Sequence, residues 1–214
     1  MNVINDCVIL NRLFWTGEYK LIESSLRRAT MPHLQSGMLN KIDLSVAEYL
    51  VNQAIAKHMH MSTIMPSPDD EFGNFFMLLS ALRGSATLLH AFDLAGFDIK
   101  SNHGDLTEKG LHAIHYAAVG GQTDLVKKWI EGGVFPADML TGTGGNLLEY
   151  AASGRNQELV TYLLSKGLDI NNADIHTDGE TVFMHVITGQ LEDKLLPFDQ
   201  VGEEKLSMVI YDSL

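Results

Sequence analysis

Two stretches in the second half of the chain copy one another at a fixed interval. Residues 110–134 read GLHAIHYAAVGGQTDLVKKWIEGGV and residues 144–170 read GGNLLEYAASGRNQELVTYLLSKGLDI, with their leading glycines, Gly110 and Gly144, 34 residues apart. Each copy has a small pair, Ala117-Ala118 or Ala151-Ala152, and then a turn. Apolar pairs four residues apart follow: Leu125-Val126 and Trp129-Ile130 in one copy, Leu159-Val160 and Leu163-Leu164 in the other. A weaker copy occupies residues 73–99, with Ser80-Ala81, Gly84, Leu88-Leu89 and Gly96, and a fourth begins at Gly179. A period of this size constrains the chain to an array of like units. One unit cannot cover its own apolar face, and stacking on its neighbours does so.

The pattern inside a unit is helical. Apolar residues at i, i+1, i+4 and i+5 form one stripe on a helix of about 3.6 residues per turn. The expected core therefore includes Ala117, Ala118, Leu125, Val126, Ile130, Ala151, Leu159, Val160, Leu163 and Leu164. The small pairs let helices approach closely. Helix pairs should turn near Gly84, Gly121 and Arg155, the last standing where the other copies have glycine. Gly96, Gly133 and Gly167 follow the second helices, where a left-handed residue ends a helix well.

These residues resemble the ankyrin repeat, whose pattern runs G-x-T-P-L-H-x-A-A-x-x-G-x-x-x-[VL]-V-x-x-L-L-x-x-G-A-D-[VI]-N. The match is carried by His115, Ala117-Ala118, Gly121 and Leu125-Val126, and by the run from Gly167 to Asn171. It covers about half the chain, from Phe72 to roughly Gln190, as three to four divergent copies. No copy has a full T-P-L-H, only Thr181 keeps the threonine, and the 37-residue spacing from Gly73 to Gly110 places an insertion of three residues near 102–109. The resemblance implies an all-α solenoid of stacked helix–turn–helix pairs with projecting loops. It implies a non-catalytic module that binds a protein partner through its concave face and loop tips, with no cofactor. It also admits an effector of a host-associated bacterium.

Residues 1–70 carry no clean repeat and read as a helical cap on one continuous stack, with residues 71–214 holding the repeats and a C-terminal capping helix. Residues 8–26 look like a degraded helix–turn–helix, and residues 43–61 like a helix capped by Asp43 or Ser45. Pro66-Ser67-Pro68 breaks the chain before the first clear repeat. Pro197 interrupts the fourth, and residues 203–211 offer a replacement capping helix.

Charge narrows the partner. With 15 basic and 27 acidic residues the net charge is −12, unsuited to gripping a phosphate backbone, so nucleic acid is not expected. Apolar runs such as Phe75–Leu79 fall far short of the ~20 residues a membrane span needs. The lone Cys7 excludes an internal disulfide framework, and no secretory signal opens the chain, so a cytoplasmic monomer is the expectation, with delivery into a host cell left open. The inter-repeat tips, residues 98–110, 134–145 and 169–180, carry −1, −1 and −4. Asp105, Glu108, Asp138, Asp174, Asp178 and Glu180 are thus the candidate partner-binding residues, facing a basic or mixed surface. Aspartate also favours turns for purely local reasons.

No catalytic constellation is visible. His112 and His115 have metal-ligand spacing, but His115 falls on the family's structural histidine and His112 on its threonine position, so no metal is expected. His58 and His60 alternate with Met59 and Met61 and would point to different sides of a helix. Cys7 has no cation beside it to activate a thiolate. Gly142-Thr143-Gly144-Gly145 looks like a phosphate loop but lacks the following Lys-Ser/Thr. Trp129 fills a core slot, and Trp15 lies in the end unit. Two alternatives stay open: an inhibitor or immunity-type protein blocking a basic site, and an enzyme with its active site in residues 1–70.

Overall fold

The computed structural model of the chain describes Ile22 and residues 25–29, 42–101, 110–142 and 144–169. Seven helices of seven residues or more lie among them: α1 (Ser45–Ala56), α2 (Glu71–Leu82), α3 (Ala86–Leu94), α4 (Ala113–Val119), α5 (Thr123–Glu131), α6 (Leu147–Ser153) and α7 (Gln157–Ser165). The described residues contain no strand. Leu140 and Asn146 make an isolated antiparallel bridge. The architecture is the all-α helix–turn–helix array that the repeats predict.

The chain resolves into two units: residues 1–80 and 85–99, and Ala81–Gly84 with residues 100–214. In the first, α1 buries Ala47, Leu50, Val51 and Ala54, the i, i+3, i+4, i+7 stripe of an amphipathic helix, and packs against α3. Its N-cap is Leu44 rather than Asp43 or Ser45, although the Asp43 carboxylate accepts the Ser45 N–H at 2.9 Å. The helix stops at Ala56 instead of reaching Met61, because His58 takes φ 55° and turns the chain. Met61–Thr63 forms a short 3-10 turn with Met61 buried. Ser85 caps α3: its hydroxyl accepts from Leu88 N–H at 3.3 Å and donates to Glu48 of α1 at 2.5 Å. Phe92 and Phe97 meet edge to face at 4.8 Å below it.

In the second unit α4 packs on both α5 and α6, and α6 packs on α7. Ala113, Ala117, Ala118 and Ala151 are wholly buried, so the first helices approach one another across methyl groups. The expected turns fall where the spacing puts them. Gly84, Gly121 and Arg155 all have positive φ, at 68°, 71° and 52°. The same hydrogen bond recurs after each: Ser85 N–H to Ser80 O, Gln122 N–H to Ala117 O and Asn156 N–H to Ala151 O, at 2.9, 2.9 and 3.1 Å.

Arginine suits that conformation poorly, since its Cβ crowds the carbonyl in the left-handed region. Arg155→Gly should therefore raise stability by about 0.5–1 kcal/mol, the usual gain from relieving such strain less the entropy of glycine. Urea unfolding checks this. A drop in the midpoint would mean that the guanidinium contributes more than the backbone loses.

The expected core needs one correction. Val126 and Trp129 on α5 and Leu159 and Leu163 on α7 are buried, but Leu125, Ile130 and Val160 are half-buried and Leu164 is 39% exposed. Each helix buries a narrow row at i and i+3 or i+4. The other member of each apolar pair lies about 100° round the axis, outside that row.

Candidate functional site

Between α5 and α6 the chain makes a projecting loop, residues 132–146, whose root is aromatic. Phe135 is buried and meets Trp129 edge-on at 5.4 Å and His112 at 6.4 Å. Beyond it the backbone closes on itself. Thr141 N–H donates to Gly145 O at 2.9 Å, Gly144 N–H to Thr141 O at 3.1 Å, and Gly145 N–H to the Thr141 hydroxyl at 2.9 Å. Gly142 N–H reaches back to Gly110 O at 3.2 Å. Among the described residues of this run, Gly142, Gly144 and Gly145 thus each give their amides to protein acceptors rather than leaving them free for a phosphate. Asn146 then caps α6, accepting from Leu148 and Glu149 N–H at 2.9 and 3.3 Å. The tip shows Asp138 and Leu140 to solvent, Leu140 at 48% exposure.

The two histidines sit at the foot of this loop. His112 precedes α4, and its Nδ1 bonds the Lys100 carbonyl at 3.0 Å. His115 Nδ1 accepts the His112 N–H at 3.1 Å, closing the first turn of α4. His115 is fully buried, with the Tyr150 ring edge-on at 5.0 Å. Burial, then the neighbouring His112, push its pKa down to about 3, against the opposing pull of backbone groups at Met139 and His112, and its Nε2 is buried without a hydrogen-bond partner. Each ring is engaged with backbone, the structural role expected for His115. Burial, and next the neighbouring Tyr150, raise the Tyr116 phenol above its ordinary value.

On the outer side of α5 and α7, Lys127 pairs with Glu158 at 2.6 Å. The hydrogen bond to Glu158 raises the Lys127 ammonium above its usual range. Tyr162 lies between Lys127 and Lys166, whose ammonium groups stand 5.4 and 5.1 Å from its ring centre. Lys127, Gln157, Glu158, Thr161, Tyr162 and Ser165 line a shallow open groove. Such exposed pairs contribute little to stability. The Thr161 and Ser165 hydroxyls already donate to Gln157 O and Tyr162 O, so the groove presents few uncommitted donors.

Of the six acids expected at the tips, Asp138 is exposed on the 132–146 loop. Asp105, Glu108, Asp174, Asp178 and Glu180 lie outside the described residues, as do Cys7, Trp15, the insertion near 102–109, Pro197 and residues 203–211. His58 and His60 are exposed beyond the end of α1, and Trp129 is buried. The described residues contain no group of three or more His, Cys, Asp or Glu placed to hold a metal ion. No helix among them is long and apolar enough to cross a membrane.

Two residues escape a reading of the sequence. Gln122 Nε2 donates to Leu82 O at 3.1 Å and Gly120 O at 2.9 Å. Asn156 Nδ2 donates to Gly121 O at 3.0 Å and the Thr123 hydroxyl at 2.6 Å. Both follow the positive-φ residue of their turn, and each reaches back to the preceding turn. Their identical register, 34 residues apart, was the available signal.

Comparison with known proteins agrees with this geometry. A family model described as ankyrin repeats matches residues 76–174 in three copies, just under half of the chain. A search of curated proteins gives no match to the sequence.

Proposed function

We propose that this protein, whose residues 76–174 match a family model of ankyrin repeats in three copies, is a non-catalytic module that holds a protein partner on its concave face and loop tips. Ankyrin repeats are generally protein–protein interaction modules. The observation that carries the reading is the 132–146 loop. Its backbone is closed by internal hydrogen bonds while Asp138 and Leu140 point outward. A tip fixed before binding loses little conformational entropy on contact. In sequence, the neighbouring inter-repeat segments add Asp105, Glu108, Asp174, Asp178 and Glu180, an acidic set that would suit a basic or mixed partner. We place it in a reducing cytoplasm, to which its single cysteine is suited, either its own cell's or that of a host receiving it as an effector.

The test begins with affinity capture from native cells and from host lysate. The captured protein is then purified and titrated against the chain. Electrostatic steering predicts an on-rate that falls about tenfold as salt rises from low to physiological levels or above. The double reversal Asp174→Lys/Asp178→Lys should weaken binding and leave the thermal midpoint nearly unchanged. Equal affinity for the parent and the double variant would remove the acidic tips from the surface. Turnover of a small substrate by purified protein, lost on substitutions within residues 1–70, would replace the reading with an enzymatic one.

A further inference from the structure

The run Lys57-His58-Met59-His60-Met61 closes α1, and backbone bonds hold it on both sides. His58 N–H donates to Ile55 O at 2.9 Å and Met59 N–H to Ala54 O at 3.0 Å. These are the paired bonds of a Schellman cap, with His58 in its left-handed position at φ 55°. On the far side the His60 carbonyl accepts from the Thr63 N–H at 3.1 Å and the Thr63 hydroxyl at 2.7 Å. The same two cap bonds recur where α3, α5 and α7 end, and there the left-handed residue is glycine: Gly96, Gly133 and Gly167. Of these four caps, that of α1 places a Cβ in a conformation that crowds it. A side chain kept at such a position points to a use for it.

Both imidazoles are exposed, Met59 is half-buried and Met61 is buried. The bonds above use backbone atoms of His58 and His60 and leave the rings to a ligand. On a helix the two would stand about 200° apart and share nothing. The chain has left the helix at Ala56, however, and His60 is extended, with φ −73° and ψ 121°. Residues two apart lie within about 7 Å Cα to Cα, close enough for two imidazoles to reach one ion.

We propose that His58, Met59 and His60 form a binding site for monovalent copper, with the two imidazoles and the thioether between them as donors. The proposal is independent of the partner surface, which belongs to the repeats.

The donor set selects the ion. Thioether sulfur favours soft ions, and imidazole suits copper. Calcium and magnesium require oxygen ligands, chiefly carboxylates. The chain has 27 acidic residues, yet none lies between Glu48 and Asp69, and Glu48 is engaged by the Ser85 hydroxyl. Structural zinc asks for four ligands, and the described residues hold no group of three or more His, Cys, Asp or Glu placed for a metal. Lys57 adjoins the run, and a monovalent ion meets half the repulsion from its ammonium that a divalent ion would.

The test uses the full chain as Cys7→Ser, because a thiolate would compete for the same ion. Cu(I) is supplied without oxygen and titrated in competition with the chromogenic chelator bicinchoninate. One Cu(I) per chain should bind, and Zn(II) at equal concentration should not displace it. His58→Gly and His60→Gln should each weaken Cu(I) binding by about tenfold or more, and Met59→Leu should weaken it by several-fold. Glycine relieves the left-handed cap, so the urea midpoint of His58→Gly should rise while its affinity falls, which separates lost binding from lost folding. If Cys7→Ser does not fold, the parent chain with its thiol alkylated by iodoacetamide takes its place. Unchanged affinity in the His58→Gly/His60→Gln double variant would put the copper on other histidines and methionines of the chain and overturn the site. No uptake in competition with the chelator, or displacement of Cu(I) by Zn(II), would overturn it as well.

Discussion

Gly120→Ala should destabilise the second unit by about 3 kcal/mol, the upper end of the cost of forcing an extra methyl into a filled site. A Cβ built on Gly120 runs into the Leu82 carbonyl oxygen and its carbon, and lies 3.1 Å from Leu82 Cα. These are backbone atoms at the end of α2, already engaged by Gln122 Nε2, so no side chain can swing aside. The turn must move bodily away from residues 81–84. Gly133 is the control. Gly120 has φ −69°, so its cost is purely steric; Gly133 has positive φ, at 67°, but nothing lies within 4 Å of its added Cβ, so Gly133→Ala should cost only the left-handed penalty of about 1–2 kcal/mol. Gly154→Ala should resemble Gly120→Ala, because its Cβ would meet Val119 O at 2.5 Å and Ala118 O at 2.8 Å. Urea unfolding of the three variants checks the order. A Gly120→Ala cost no larger than that of Gly133→Ala would mean that the repeats stand further apart than backbone contact at Leu82 requires.

The second large effect is expected at Leu163. Its side chain is fully buried on α7, one turn from buried Leu159. Leu163→Ala should cost about 2–5 kcal/mol, the lost transfer energy plus the cavity left behind. Leu164→Ala, next to it but 39% exposed, should cost under about 1 kcal/mol. Similar losses from the two would show that α7 is rotated about its axis, with Leu164 sharing the covered face.

That contrast also shows where the sequence was informative. The period located the units, and the turns at Gly84, Gly121 and Arg155 followed from it, because a change of direction needs a positive φ at one fixed register. Burial of Trp129 and the structural part played by His115 were likewise legible. The face of α7 was not. A pair such as Leu163-Leu164 states that the helix is amphipathic, but its members are about 100° apart, and only the neighbouring helix decides which one is covered. The loop between α5 and α6 was legible in its position alone. Turn-rich composition marks a loop, whereas the bonds that stiffen it, Gly142 to Gly110 and Gly145 to Thr141, join residues whose pairing no periodicity encodes. The Gln122 and Asn156 contacts were hidden for a different reason. Polar residues beside a turn ordinarily read as solvated, and these become structural only because another backbone lies within reach.

Those two amides also bear on how the chain is made. Gln122 reaches Leu82, 40 residues earlier, and Asn156 reaches Gly121, 35 residues earlier. Each turn is thus completed by a donor that the ribosome adds later. A newly emerged helix pair keeps a carbonyl waiting on water until about one further repeat has been synthesised. Assembly of these two turns is directional in time: each is finished by the repeat that follows it, and a nascent chain halted just before Asn156 would leave the preceding turn without its side-chain donor.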